Sequence, residues 1–270
     1  MYLRRKKKGL STMIGSLAMI FLLVVLFYFS FYMKCIETIN LNLKDDADIA
    51  TLASATVDLN KFGQDHKNLH CMGSANTDYM GQDSLKIKET GKNLISVNEK
   101  NEMRKHLTQY ANSLVSTMGI VYNASNESKT FSGGNVGWAA NSLGARDFKL
   151  DNFKIYEFIN NKWICYEVKN LSTKDLMTIK DLEYTYDSNN NVIVKNDSGT
   201  IEDFFNSLTL TKKNVTAEEL TKDGIVENEH YPTVCATFSF TMDLPNFFGF
   251  SKAESLNDLK IKSISQVKGE

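Results

Sequence analysis

The sequence predicts an α+β protein, in which an N-terminal transmembrane helix extends into an amphipathic stalk helix that carries an antiparallel β-sheet head with packed helices. Three patterns lead to this prediction. The segment from Leu10 to Met33 has no charged residue. A stripe of apolar residues at spacings of three and four follows it, as on one face of a helix. From Phe148 onward, apolar residues recur at every second position, as in half-buried strands. The predicted domains are a cytoplasmic basic tail, the transmembrane helix, the stalk helix and an extracellular α+β head, at residues 1–9, 10–33, 34–60 and 61–270.

The apolar segment is long enough to cross a lipid bilayer. As a helix, the residues from Met13 to Met33 would extend about 31 Å, which matches the hydrocarbon thickness of a bilayer. A cleaved secretory signal would have an apolar region of about 7 to 15 residues that ends in small residues, whereas this region is longer and ends in aromatic residues and a methionine. A lipoprotein signal is disfavoured because Lys34, and not a small residue, precedes Cys35. We therefore predict a single-pass membrane protein.

A cluster of basic residues stands just before the apolar segment: Arg4, Arg5, Lys6, Lys7 and Lys8. Cytoplasmic flanks of membrane helices carry an excess of such residues. The amino end is therefore predicted to lie in the cytoplasm, and the C-terminal domain is predicted to be extracellular. The aromatic residues between Phe27 and Tyr32 fit the outer interface, because aromatic rings are enriched at that depth.

The apolar stripe beyond the membrane segment is the predicted assembly stripe: Ile36, Ile39, Leu43, Ala47, Ala50, Ala53 and Val57. A helix unbroken from residue 10 to residue 60 would be about 75 Å long. The stripe has two interpretations, which are packing on the protein's own outer domain and contact with a partner helix. Its alanines would let another helix approach closely.

A family resemblance arises in this region. A short basic amino end, a single span and the acidic, alanine-containing segment from Asp45 to Ala53 resemble the amino-terminal region of TadE-like pseudopilins, small subunits of tight-adherence (Tad) pili. The carboxyl end is also similar, with a strand at residues 233–242, an apolar connector at 244–250 and a last strand with a charged tail at 259–270. The resemblance implies a structural or assembly subunit of a surface pilus or a related secretion system. Its implied partners are membrane lipid and other pilin or pilus-assembly subunits.

A candidate processing site, Gly9 followed by Leu10, has the form that a prepilin peptidase cuts. Pilins usually carry a glutamate at the fifth position after the cut, and that position is Ile14 here. The alternative interpretation of Gly9 is a flexible residue at the cytoplasmic interface.

Charge argues against a nucleic-acid partner. The 270 residues have a formal net charge of −1, and without the basic cluster 26 basic and 32 acidic residues remain, a charge near −6. These remaining charges are scattered along the chain and form no basic patch.

The head is predicted to be a sheet with helices against one face. We expect a loop at residues 61–82, a helix at 98–118, a hairpin around two asparagines at 153–168 and a second hairpin at 182–194. Two short helices at 201–208 and 217–222 and a late strand at 233–242 should follow.

Candidate chemistry is sparse. His66 and His70 are four residues apart beside Cys71, but their surroundings indicate a loop and further ligands are missing. The glycine-rich segment from Ser132 to Gly137 lacks the Gly-Lys-Ser/Thr ending of a phosphate-binding loop, and no Gly-x-Ser-x-Gly elbow occurs. We therefore predict no enzyme activity, no cofactor and no metal. The alternative function is a membrane-anchored extracellular ligand-binding or sensing module with an unspecified small-molecule ligand.

Two of the four cysteines, Cys165 and Cys235, fall on predicted strands, on the less apolar face of each. An extracellular location permits disulfides. The candidate bridge is therefore Cys165 to Cys235, and free, buried or half-buried thiols are the alternative.

Overall fold

The computed structural model describes most of the chain. The described residues are 2–56, 71–72, 88–89, 95–122, 129–131, 146–159, 161–180, 182–186, 192–195, 199–227, 229–243 and 255–267. The chain divides into two compact units, with the boundary between Asn42 and Leu43.

The first unit is formed by the amino-terminal part of helix α1, which runs Tyr2–Ser54. Most of its large apolar side chains between Met13 and Met33 are about half exposed or more, from 48% for Tyr28 to 75% for Phe27. Within the described residues, this is the one helix that is long and apolar enough to cross a membrane, with a mean hydropathy of 2.5 over an 18-residue stretch. A helix that is apolar on all sides and not covered by protein is suited to apolar surroundings.

The second unit is an α+β domain, as the sequence predicts. Its elements after α1 are β1 (Lys88–Glu89), α2 (Val97–Met118), β2 (Ile120–Tyr122), β3 (Lys129–Phe131), β4 (Arg146–Ile159), β5 (Lys162–Ser172), α3 (Thr173–Ile179), β6 (Glu183–Tyr186), β7 (Val192–Lys195), α4 (Gly199–Ser207), β8 (Thr209–Asn214), α5 (Ala217–Asp223), β9 (Thr233–Asp243) and β10 (Ser255–Gln266).

The main sheet has the strand order β1-β8-β5-β4-β9-β10 among the described residues. The five longer strands pair antiparallel, and the two-residue strand β1 pairs parallel with β8. Strands β2 and β3 form one separate hairpin-like pair, and β6 and β7 form another. The central hairpin β4–β5 closes with Ile159 opposite Lys162, and Asn161 in its turn has a φ of 61°. Asparagine tolerates this left-handed conformation better than most residues do, so the predicted asparagine turn is confirmed.

Helix α2 covers one face of the sheet. Ser96 caps its first turn in a capping box with Glu99, and Gly119 ends it in the left-handed conformation at a φ of 58°. The Tyr110 ring of α2 lies 5.2 Å from the Phe153 ring of β4, and both side chains are fully buried. The apolar period that predicted this helix therefore marks the side that meets the sheet.

Helix α5 covers the opposite face, so the prediction that the helices lie against one face of the sheet is wrong. Its core cluster is Tyr156, Trp163, Cys165, Leu220, Ile225 and Cys235. Thr216 and Glu219 form a capping box at the amino end of the helix, and Gly224 ends it at a φ of 78°. A Cβ at Gly224 would also lie 3.2 Å from the Ile264 side chain, so glycine meets both a backbone and a packing requirement there.

Most predicted elements of the head are confirmed, with small changes of boundary. The helix forms at 97–118, and the strands of the two hairpins lie within 146–172 and 183–195. The short helices form at 199–207 and 217–223, and the late strand forms at 233–243. The last strand begins at Ser255, before the predicted Leu259. The predicted loop at 61–82 lies largely outside the described residues, and the connector at 244–250 lies wholly outside them. Strand β8 and helix α3 were not predicted.

The predicted stalk helix is too long, because α1 ends at Ser54 and not at residue 60. The next two residues, Ala55 and Thr56, are not helical. The Ser54 carbonyl oxygen lies 2.6 Å from Nδ1 of His106. The imidazole therefore takes the place of the backbone N–H that a longer helix would offer to this oxygen. The helix therefore stops where the head supplies that partner.

We expect Phe153→Ala to destabilise the domain by about 3 to 5 kcal/mol, because it removes a fully buried ring and leaves a cavity beside Tyr110. The measurement is urea unfolding of the full chain in detergent. The matched control is Val226→Ala, at a side chain that is 53% exposed, where a change within about 0.5 kcal/mol is expected. Equal effects of the two substitutions would contradict the packing described for the sheet.

Candidate functional site

The residues of the basic cluster and of the candidate processing site lie in the first turns of α1. The backbone is helical from Tyr2 through Gly9 and Leu10, and the side chains up to Ser11 are outside the described part of the chain. Processing at Gly9 and the topogenic role of residues 4–8 stay predictions.

The predicted assembly stripe is largely covered by the protein itself. Leu43, Ala47 and Ala50 have no exposed surface, and the Thr51 hydroxyl beside them lies 2.9 Å from the Ser265 hydroxyl of β10. In the head, the stripe therefore packs on the protein's own domain, and these three residues are not available to a partner helix. Ala53 is exposed.

Three further positions belong to the stripe. Ile36 is half-buried and Ile39 is buried, while Val57 lies outside the described residues.

The apolar residues that the head does expose on α1 lie on the other side of the helix. Ile49 is 51% exposed and Leu52 is 64% exposed, and Ala53 adjoins them. Residues three and four apart are neighbours on a helix surface, so these side chains form one patch. We call Ile49, Leu52 and Ala53 the outer strip.

A second candidate is a buried polar cluster centred on His106 of α2. Its two ring nitrogens lie 2.6 Å from the Ser54 carbonyl oxygen and 2.8 Å from the Cys71 carbonyl oxygen. The backbone N–H groups of Cys71 and Met72 donate to one carboxylate oxygen of Glu157, the second at 2.5 Å. This cluster therefore fastens the end of α1 and the segment at 71–72 to α2 and β4.

The electrostatics of the cluster do not favour nucleophilic chemistry. Burial raises the pKa of the Cys71 thiol well above its usual value, and Glu157 adds to the shift, so the reactive thiolate is disfavoured. Burial, followed by the nearby Lys105 ammonium, lowers the pKa of His106 to about 4, although the two carbonyl groups oppose the shift. His106 is fully buried, and its hydrogen-bond partners are backbone oxygens and not a thiol. The buried Glu102 carboxylate lies 3.9 Å from its Nε2 atom.

A third polar cluster joins α5 to the sheet. Asp223 accepts hydrogen bonds from Lys154 at 2.6 Å, from Lys262 at 2.7 Å and from the Tyr156 hydroxyl. Burial raises the pKa of the Asp223 carboxyl, but these hydrogen bonds outweigh burial and hold the pKa at about 2. The carboxylate is already saturated with donors, which suits fixing a helix better than acid–base catalysis.

The fourth candidate is a cleft of about 360 Å³ at the turn of the β4–β5 hairpin. Phe158 and His230 stack in parallel there, with ring centroids 3.6 Å apart and an interplanar angle of 2°. The Trp163 ring meets Phe158 edge-on, with centroids 5.5 Å apart. Polar side chains from the hairpin turn, from β8 and from the segment before β9 complete the wall: Asn161, Lys162, Asn214 and Glu227.

The structure does not join the two cysteines of the candidate disulfide. All four cysteines are free thiols, and Cys165 and Cys235 are buried on β5 and β9 with strand β4 between them. Two strand spacings are about 9.6 Å, whereas a disulfide requires Cα atoms within about 6.8 Å. Burial raises the pKa of each thiol to about 12.

The candidate metal residues His66 and His70 lie outside the described residues. Within the described part of the chain, no group of three or more His, Cys, Asp or Glu side chains could hold a metal ion. The sequence reasoning missed His106 and the cleft. For His106, the only signal is its place between the inward-facing Met103 and Tyr110 of an amphipathic helix.

No protein-family model matches the sequence, and comparisons with curated proteins and with solved structures also find no match. The function is therefore inferred from the residues and geometry of this chain.

We expect the free energy of unfolding to fall by about 3 kcal/mol through His106 as the pH decreases from about 7 to about 4. The unfolded chain binds the proton with a pKa near 6.5, whereas the folded chain binds it only near pH 4, so protonation favours unfolding in this interval. The measurement is urea unfolding of wild type and His106→Gln across this range.

The stability difference between the two proteins should change with pH. The matched control is Asn112→Gln, which changes an exposed, non-titratable side chain of α2, and its difference from wild type should stay constant. A pH dependence in His106→Gln that equals the wild-type dependence would show that His106 is not held neutral.

Proposed function

We propose that the protein is a membrane-anchored, pseudopilin-like structural or assembly subunit of a surface pilus or a related secretion system. The observation that carries the membrane anchoring is the apolar surface of α1 between Met13 and Met33, most of which the protein leaves exposed. Burying one such side chain away from water is worth about 1.5 to 3 kcal/mol, so this segment is far more stable in lipid than in water. Membrane lipid is therefore its first partner. The pilus role is supported by the resemblance of the amino-terminal region to TadE-like pseudopilins.

The proposed orientation follows from charge. The basic residues 4–8 precede the apolar segment, and the positive-inside rule keeps such residues in the cytoplasm. The amino end is then cytoplasmic, and the α+β head is extracellular.

The proposed assembly surface is the outer strip of α1. Leu43, Ala47 and Ala50 fix the inner side of this helix on the head, so Ile49 and Leu52 are held on the side that faces away from it. Large exposed apolar residues beside a small one suit contact with a helix of a neighbouring subunit, and the half-exposed Lys44–Asp48 ion pair limits the strip on one flank.

The second candidate function is a membrane-anchored ligand-binding or sensing module. The cleft beside Trp163 is the observation that favours it, because its volume falls within the range of about 300 to 1,000 Å³ typical of small-molecule sites.

We expect the double variant Leu22→Arg/Leu23→Arg to lose most of its membrane association, because each arginine at the centre of a span costs about 2.5 to 3.5 kcal/mol. The measurement is the fraction that remains in membranes after alkaline carbonate extraction. The matched control Leu52→Arg places the same side chain outside the span and should stay in the membrane fraction. A wild-type chain that is soluble without detergent would contradict anchoring, and a head protected from protease added to intact cells would contradict the orientation.

We expect a photo-crosslinking amino acid at Leu52 to capture a second membrane-anchored subunit in intact cells. Leu52→Arg should abolish copurification of that subunit from mild detergent, since it places a charge in an apolar contact. The matched control position is Lys174, which is exposed on α3. Equal capture from both positions would contradict the proposed assembly surface, while a retained small molecule without protein partners would favour the second function.

A further inference from the structure

We propose that the cleft at the β4–β5 turn is a binding site for a neutral saccharide, with a sugar ring against the His230 ring and its hydroxyl groups on Asn161 and Asn214. The site goes beyond the assembly function and does not depend on it. Its elements are those of the head alone.

The aromatic wall is fixed before any ligand arrives. The Trp163 indole N–H donates to the Glu227 carbonyl oxygen at 3.2 Å, and the Val215 backbone N–H donates to the Trp163 carbonyl oxygen at 2.9 Å. Trp163 is only 5% exposed, so its ring cannot swing into solvent. A wall held in this way costs little ordering free energy on binding.

The stacked rings leave one aromatic surface open. Phe158 covers one face of the His230 ring at 3.6 Å, and the Trp163 ring meets His230 edge-on with centroids 6.2 Å apart. His230 as a residue is exposed, so the second face of its ring is the aromatic surface assigned to the ligand. The negative π face of an aromatic ring attracts C–H groups that carry partial positive charge. One face of a pyranose ring presents such C–H groups in a plane, which matches this wall.

The polar lining matches hydroxyl groups. Asn161 and Asn214 each offer an amide that both donates and accepts hydrogen bonds, and a hydroxyl also does both. Lys162 and Glu227 add one positive and one negative charge, both exposed. Because these charges balance, the lining has no formal net charge that would select an anion or a quaternary ammonium ion. A neutral ligand with many hydroxyls and one apolar face satisfies the whole lining.

The cleft volume sets the size of the ligand. About 360 Å³ is near the lower end of the range for small-molecule sites and suits one or two sugar rings. Longer chains would extend from the cleft into solvent.

The test is a titration of the full-length ¹⁵N-labelled protein with maltose, lactose and N,N′-diacetylchitobiose. The protein is held in a polyoxyethylene detergent, because a glycosidic detergent would itself compete for the site. The readout is the chemical shift of the Trp163 indole N–H, which Trp163→Phe assigns. We expect at least one disaccharide to shift this signal saturably with a Kd in the millimolar range or tighter.

Two variants connect the signal to the proposed contacts. Asn214→Ala should weaken binding about five-fold by loss of a hydrogen bond, and His230→Ala should weaken it at least as much by loss of the ring face. The matched control Asn112→Ala removes an exposed carboxamide on α2 and should bind as wild type does. Urea unfolding of each variant checks that the head is intact.

Three results would overturn the proposal. They are the absence of any saturable shift with all three disaccharides, unchanged binding by both Asn214→Ala and His230→Ala, and a stronger response to tetramethylammonium or to glycine than to any saccharide. The last result would assign the cleft to a cation or to a zwitterion.

Discussion

The head depends on the contact between α2 and the main sheet, and this contact is partly ionic. Glu99 in the first turn of α2 is 2% exposed and accepts hydrogen bonds from the Tyr166 hydroxyl at 2.7 Å and from Lys212 at 2.8 Å. Its other oxygen accepts the Ser96 N–H at 2.7 Å, so one carboxylate both caps the helix and docks it on β5 and β8. A buried charge is costly without partners, and this pairing therefore permits one placement of α2 along the strands.

The elements that could be predicted from the sequence are those in which the spacing of apolar residues follows the buried face. The β4–β5 hairpin and α2 were predicted because each has a long apolar pattern and a clear turn or end signal. Strand β8 was missed because Leu210 is its one fully buried residue among polar neighbours, and its place comes from pairing with β5. Helix α3 has a short signal, a capping box between Ser172 and Asp175, but seven residues give too few turns for a period to appear.

The candidate sites were harder to predict, because a pattern identifies an apolar face without identifying what covers it. The spacing of Leu43, Ala47 and Ala50 is the same whether a sheet or a partner helix lies against them. The structure places the head there, which moves the proposed assembly surface to Ile49 and Leu52. The cleft gave no sequence signal, because Trp163 and His230 are separated by strands and helices and meet only after the sheet has formed.

The two proposed surfaces can operate at the same time because they share no residue and no element. The outer strip belongs to the last turns of α1, whereas the cleft is built from the β4–β5 turn, the end of β8 and the segment before β9. Occupying the strip with a neighbouring helix therefore removes none of the cleft's lining. A subunit that has joined an assembly would still carry an intact saccharide site, and an array of such subunits would present many copies of it. Weak sites repeated in this way give tight binding to a repetitive ligand, since each further contact is intramolecular. A millimolar affinity for one sugar unit is therefore compatible with firm attachment of an assembled fibre to a glycan surface.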